Sequence, residues 1–162
     1  MLSLTKRADY ALLALSYLAS VVQDDPQRLV NTKEIAEQFE IPAELLAKLL
    51  QILAKNDLVA SHPGPTGGYR LRRDPKQISV AEVVALVDGP VSMLHCSNGQ
   101  EGACKQFSRC TIRDPLAELE SRVKALLQEI SIAEISLPAR TETPEFGDFS
   151  GRRFALGLPV GR

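Results

Sequence analysis

Tryptophan is absent, and five Phe with three Tyr in 162 residues leave too little ring surface for a base-stacking platform. Histidine occurs only as His62 and His95, and neither has an evident acid–base partner. Paired carboxylates, a Ser/His/Asp set and a phosphate loop are also missing. These absences exclude most enzyme classes. Charge of one sign is missing too: the net charge is −1, so bulk charge announces no nucleic-acid partner. No apolar run approaches the roughly 18–20 residues of a membrane span. The stretch Met1–Arg7 lacks the apolar core and cleavage site of a signal peptide, so a cytoplasmic protein without membrane contact is expected. Cysteine is scarce, with three residues. In that compartment a clustered, odd number of thiols favours metal or redox chemistry over structural disulfides.

All three cysteines lie in one stretch, Cys96, Cys104 and Cys110, with spacing C-x7-C-x5-C. Ser97, Asn98, Gly99, Gly102 and Ser108 between them are turn residues. Such a loop can fold its thiolates toward one centre, and thiolates suit zinc, copper(I) or an iron–sulfur cluster. Zinc usually takes C-x2-C pairs, and the chain has none. The wider gaps suit a cluster. Three free thiols are the plain alternative. A fourth ligand could be His95, Glu101, Asp114 or Asp9. His95 adjoins Cys96, and adjacent residues of an extended segment point to opposite sides. Asp9 alone reads as a solvent-facing carboxylate favoured near a helix N-terminus.

The rest of the chain reads as helices around a hairpin. Leu4, Ala8, Ala11, Leu12, Leu15, Leu18, Ala19 and Val22 recur at helical spacing, predicting a first helix over about 4–22 with Ser3 as cap and Asp24-Asp25-Pro26 as stop. Asn31 and Glu34 have capping-box spacing and open a short second helix. Glu40-Ile41-Pro42 is a turn, and a third helix runs over about 43–56. Two short helices joined in this way form a helix-turn-helix, whose second member enters the major groove. Residues 58–62 and 69–73 flank a Gly/Pro turn and read as a β-hairpin, a wing. Ser79 and Glu82 suggest another capping box, for a helix ended by Asp88-Gly89-Pro90. Ile112, Leu116, Leu119, Val123, Leu126 and Ile130 form an a/d seam. Core packing would explain so short a seam, but a major-groove reader gains from paired half-sites, which favours a self-paired helix. Ser131 and Glu134 cap one more turn. From Pro138 prolines and glycines break all periodicity.

The fold class expected is mainly α with a small β-hairpin. Residues 1–75 form a winged helix-turn-helix DNA-binding domain, 76–137 the cysteine loop and a long dimerisation helix, and 138–162 a flexible tail. The candidate DNA-binding residues are Thr5, Lys6, Thr32, Lys33, Glu44 and Lys48 on the helices. On the wing they are Ser61, His62, Gly64, Thr66, Gly67 and Arg70. Residues 1–75 hold nine Lys/Arg and nine Asp/Glu, so a merely solvated face is the competing reading. Winged helices also serve as protein-interaction modules.

Residues 4–12 (Leu-Thr-Lys-Arg-Ala-Asp-Tyr-Ala-Leu), Glu34-Ile-Ala36, the wing Gly64-Pro-Thr-Gly-Gly-Tyr69 and the three-cysteine loop before a long helix together resemble the Rrf2 family of bacterial transcription regulators. The resemblance implies a homodimer on a palindromic double-stranded operator. It also implies an iron–sulfur cluster, of the two-iron or four-iron type, held by Cys96, Cys104 and Cys110. In IscR-like members a histidine three residues after the last cysteine is the fourth ligand; that position is Arg113 here. In NsrR-like members it is an aspartate on the first helix of the other subunit, and Asp9 occupies the matching position. The long first gap is more like RirA. The alternative is a cluster-free thiol regulator, or a zinc-stabilised winged helix, acting through a protein partner.

Overall fold

The computed structural model describes residues 4–90, 92 and 105–136. Its first helix, α1 (Lys6–Asp24), buries Ala8, Ala11, Ala14, Leu15, Leu18, Ala19 and Val21. Alanines let neighbouring backbones come close, and α1 is accordingly the central element. It packs against α3 (Ala43–Lys55), α4 (Val80–Asp88), α6 (Ile132–Ile135) and strand β2 (Gly68–Leu71). The helix ends where Asp24-Asp25-Pro26 stops it. Its cap is Thr5, whose Oγ1 accepts from the Ala8 N–H at 3.2 Å. Ser3, the expected cap, lies outside the described residues.

Helix α2 (Thr32–Gln38) is capped by Asn31, as its spacing predicts. The reciprocal half of that box is absent, because the Glu34 Oε1 accepts from Tyr17 Oη at 2.8 Å and from Arg28 Nη2 at 2.6 Å. A charged donor outbids a backbone N–H for a carboxylate. The turn into α3 passes through Glu40, whose φ of 52° is left-handed. Pro42 sits at the cap position of α3 rather than inside it. Leu46, Leu49, Leu50 and Leu53 of α3 then bury fully against the core around Leu15, Leu18 and Ile35.

The wing is β1 (Val59–His62) paired antiparallel with β2, with Ser61 opposite Tyr69 and His62 opposite Gly68. Tyr69 exchanges two further backbone bonds with Val30, at 2.8 and 3.0 Å. The connection between α1 and α2 is thereby stitched to the wing. This close approach requires glycine: a Cβ on Gly68 would lie 2.6 Å from the Val30 carbonyl oxygen, and one on Gly67 only 2.1 Å from that of His62.

Helix α4 starts at the Ser79 cap, but the Glu82 carboxylate bonds Arg73 at 2.6 Å instead of closing a box. Helix α5 (Arg113–Glu129) carries Pro115 in its first turn, where no intrahelical N–H is needed. Its end is tied to the start of α4 by the Val80 N–H to Ile130 C=O and Ile132 N–H to Ile78 C=O bonds, at 2.9 and 2.8 Å. The Ser131–Glu134 capping box of α6 is complete. The tail, residues 138–162, lies outside the described residues.

Candidate nucleic-acid interface and sensing site

Burying four leucines on one side of α3 leaves Glu44, Lys48, Gln51 and Lys55 exposed. Steps of four, three and four place them on one stripe. This second helix of the helix-turn-helix therefore presents hydrogen-bonding and cationic groups along its free face. Lys48 has no ion-pair partner among the described residues. Glu44 stands in the first turn, where the helix dipole favours an anion. At the start of α2, Lys33 is exposed and pairs only loosely with Glu37, at 3.7 Å, while Thr32 is half-buried.

In the wing, Ser61, Gly64 and Thr66 are exposed and Gly67 is half-buried. Arg70 is half-exposed, with Nη1 at 3.4 Å from Gln27 Oε1. His62 is half-buried. Its Nε2 is buried and has no hydrogen-bond partner among the described residues, so that atom is not offered at the wing surface. Thr5 is also engaged: besides capping α1, its Oγ1 donates to Asp88 Oδ2 at 2.6 Å. Lys6 is exposed beside it.

Spacing did not reveal the network that seats α2. Tyr17 of α1, Arg28 and Glu34 converge, and Tyr17 meets Phe39 edge-on at 5.8 Å. The Glu34 carboxylate, by accepting the phenol's hydrogen bond, raises the Tyr17 pKa, and burial and the Glu34 charge add to it.

Of the three cysteines, Cys110 is described: it is a free, half-buried thiol directly after a 3-10 turn at Phe107–Arg109. Arg113 clamps this end of the loop to α5. Its guanidinium carbon lies 4.8 Å from the centroid of the Phe107 ring, and its Nε bonds Asp114 Oδ1 at 2.7 Å. That bond and the Arg113 charge lower the Asp114 pKa. Cys96, Cys104, His95 and Glu101 lie outside the described residues. Among the described residues no three of His, Cys, Asp or Glu gather into a metal-binding group.

Asp9 is exposed, and its carboxylate has no partner among the described residues. With Leu12, Leu13, Ser16 and Ile135 it lines an open groove of about 440 Å³. Helix α5 packs Leu127 against Ala8, Val80 and Val84 but leaves other apolar side chains uncovered. Its buried residue is Glu120, bonded by Lys124 Nζ at 2.5 Å, whereas Leu119 and Leu126 are 44% and 57% exposed and the preceding Ile112 60%. No helix among the described residues is long and apolar enough to cross a membrane.

The family model of Rrf2, described as an iron-dependent transcriptional regulator, matches residues 4–137. The transcriptional regulator IscR of Yersinia pseudotuberculosis is 36% identical over 132 residues, covering 82% of this chain and 77% of that one. Among solved structures, oxidised Staphylococcus aureus CymR superposes with a TM-score of 0.66 at 20% identity, over 86% of this chain and all of that one. IscR of T. potens does so with 0.60 at 23%, over 83% and 85%. These neighbours carry the winged-helix fold, and the relatives are regulators rather than enzymes. The chain belongs to the Rrf2 family, as a DNA-binding transcriptional regulator of the IscR type.

Proposed function

We propose that this regulator is a cytoplasmic homodimer that reads a palindromic operator and senses iron, redox or nitric-oxide status through an iron–sulfur cluster. Cys96, Cys104 and Cys110 are the thiolate ligands, and Asp9 of the partner subunit is the fourth. In each subunit residues 1–75 bind DNA and residues 76–137 hold the sensing loop and dimer helix. A bound cluster supplies a centre that reacts with oxidants and nitric oxide and that is lost when iron is scarce.

The observation that carries the reading is the pair of unsatisfied groups on the described surface. Asp9 is an exposed carboxylate without a partner, set among apolar groove residues rather than in a polar patch. Cys110 is a free thiol at the surface end of the loop. Their chemistry fits a cluster: soft thiolate donors completed by a labile oxygen donor. The exposed seam of Ile112, Leu119 and Leu126 supports a second copy as the occupant of α5. A dimer would place two α3 stripes on half-sites about 34–36 Å apart. On each, Lys48 and Glu44 would face base edges, with Thr32, Lys33, Lys6 and Arg70 toward phosphates. Ser61, Gly64, Thr66 and Gly67 would form the wing contact. Thr5 and His62 would act from behind, through the α1 cap and the wing interior.

Anaerobic purification, a visible absorption spectrum and a count of iron and sulfide per chain test the sensing site. A coloured protein with equal iron and sulfide is expected. A colourless protein, or one holding zinc, would leave a winged-helix regulator read through thiols or a protein partner.

A further inference from the structure

Asp88 is an acid in the wrong place for its own helix. It is the last residue of α4, where the negative end of the dipole disfavours a carboxylate. It is in the right place for α1. Its Oδ2 accepts from Thr5 Oγ1 at 2.6 Å, and Thr5 is the cap at the positive end of α1. Thr5 in turn holds the first turn of α1, accepting the Ala8 N–H on Oγ1 at 3.2 Å and the Asp9 N–H on its carbonyl at 3.0 Å. On the other side, Asp88 continues through Gly89, with φ of 88°, and Pro90 toward the cysteines. The Gly89 N–H is bonded to Ala85 C=O at 3.0 Å, and proline fixes its own φ.

We propose that Asp88 is a positioning residue that ties the entry of the cysteine loop to the N-terminal turn of α1, and so sets how α1 presents Asp9. Ala8, fully buried against Val80 and Val84 of α4, keeps the two helices from sliding as bodies. The Asp88–Thr5 bond fixes the remaining freedom, that of the first turn itself. The Thr5 route reaches Asp9 directly, because the Thr5 carbonyl accepts the Asp9 N–H. This inference rests on the sensing role of Asp9 proposed above.

The test uses the full chain as Asp88→Ala, Asp88→Asn and Thr5→Ser. Amide exchange at Ala8 and Asp9 is measured by NMR on cluster-free protein. Operator affinity is measured with and without the cluster. Asp88→Ala should speed exchange at Ala8 about tenfold, the share of one charge-assisted bond, while Thr5→Ser, which keeps donor and cap, stays as wild type. The ratio of the two operator affinities should move toward one by about 2- to 30-fold. If both affinities fall equally and the ratio is unchanged, Asp88 is merely structural and the proposal falls. Should Asp88→Ala not fold, Asp88→Asn, which keeps an oxygen acceptor without the charge, carries the same comparison. If wild-type protein takes up no iron and sulfide, the sensing reading fails by itself. The exchange result then still decides the tether, which stands if exchange speeds and falls if it does not.

Discussion

Replacing Leu119 and Leu126 together by alanine removes two side chains that are each about half in water. They are 44% and 57% exposed, so the covered half of each is lost from the stability of the isolated chain. If α5 pairs with a second copy, the loss of the exposed half appears in association. Fully burying a leucine is worth about 1.5–3 kcal/mol. The two exposed fractions sum to about one leucine, so each subunit forfeits about 1.5–3 kcal/mol of transfer energy. A two-fold interface counts each residue twice, giving about 3–6 kcal/mol and a dimer dissociation constant weaker by roughly two to four powers of ten. Sedimentation velocity across a concentration series reads this directly. Leu127→Ala is the control. Leu127 faces inward on the same helix, against the cluster of Ala8, Val80 and Val84, so its loss should lower the melting temperature rather than split the dimer. An unchanged dissociation constant in the double variant, or a wild type that is monomeric at every concentration, would refute the seam.

Asp9→Ala should leave cluster-free DNA binding and melting temperature as they are, since the exposed carboxylate bonds nothing described, and should shorten the lifetime of the visible absorption band in air; a band of wild-type lifetime would remove Asp9 from the ligand set. Gly68→Ala drives a methyl into the Val30 carbonyl at 2.6 Å and should cost about 1–3 kcal/mol of stability, seen by denaturant unfolding. Lys48→Ala should lower the slope of log affinity against log salt by about 1 if it meets phosphate, but should weaken some operator variants more than others with no slope change if it reads a base. The Tyr17 pKa is raised above the ordinary tyrosine value of 10.0, so its contribution is full below pH 10.0 and is lost as pH rises through the folded value. Tyr17→Phe should flatten that alkaline fall in melting temperature, and an identical pH profile would show that the Glu34 bond does not hold α2.

How far the sequence carried depended on the range of each interaction. The helix-turn-helix and the hairpin were legible because their signals are local: a cap, a proline, a Gly/Pro turn, leucines at helical spacing. The two capping boxes at Asn31 and Ser79 were half legible. Each cap forms, but Glu34 is taken by Arg28 and Tyr17 and Glu82 by Arg73, and spacing cannot weigh a carboxylate against an arginine that folding brings near. At Ser131 both halves close as the spacing predicts. The seam of α5 was legible as a stripe, but not that Glu120 would be buried while Leu119 and Leu126 stay exposed. The Thr5–Asp88 bond spans 83 positions and leaves no pattern at all. Asp9 was one of four candidate fourth ligands by residue type, its spacing alone fitted a solvent-facing carboxylate, and the resemblance to a family ligand singled it out.

The neutral charge of the first 75 residues looked like an argument against DNA, and the fold shows why it is a weak one. Net charge averages over a surface, whereas phosphates meet only part of it. Several acids of this module are already occupied. Glu34 and Asp57 are each held by an arginine at 2.6 Å. The carboxylates of Asp25 and Asp74 accept the N–H of Gln27 and Lys76, both at 2.9 Å, and so close turns. Lys6, Arg7, Lys48 and Lys55 have no such commitment among the described residues. Each pair removes one arginine along with one acid, so pairing does not change the sum. What remains on the start of α1 and the free stripe of α3 is Lys6, Arg7, Lys48 and Lys55 with the acids Asp9 and Glu44, a local excess of two cations. The affinity should therefore be carried by a few phosphate contacts rather than by a basic surface. Such a reader binds non-specific DNA weakly. It then depends on two correctly spaced subunits for its grip, and small changes in how α1 holds the helix-turn-helix matter most for such a protein.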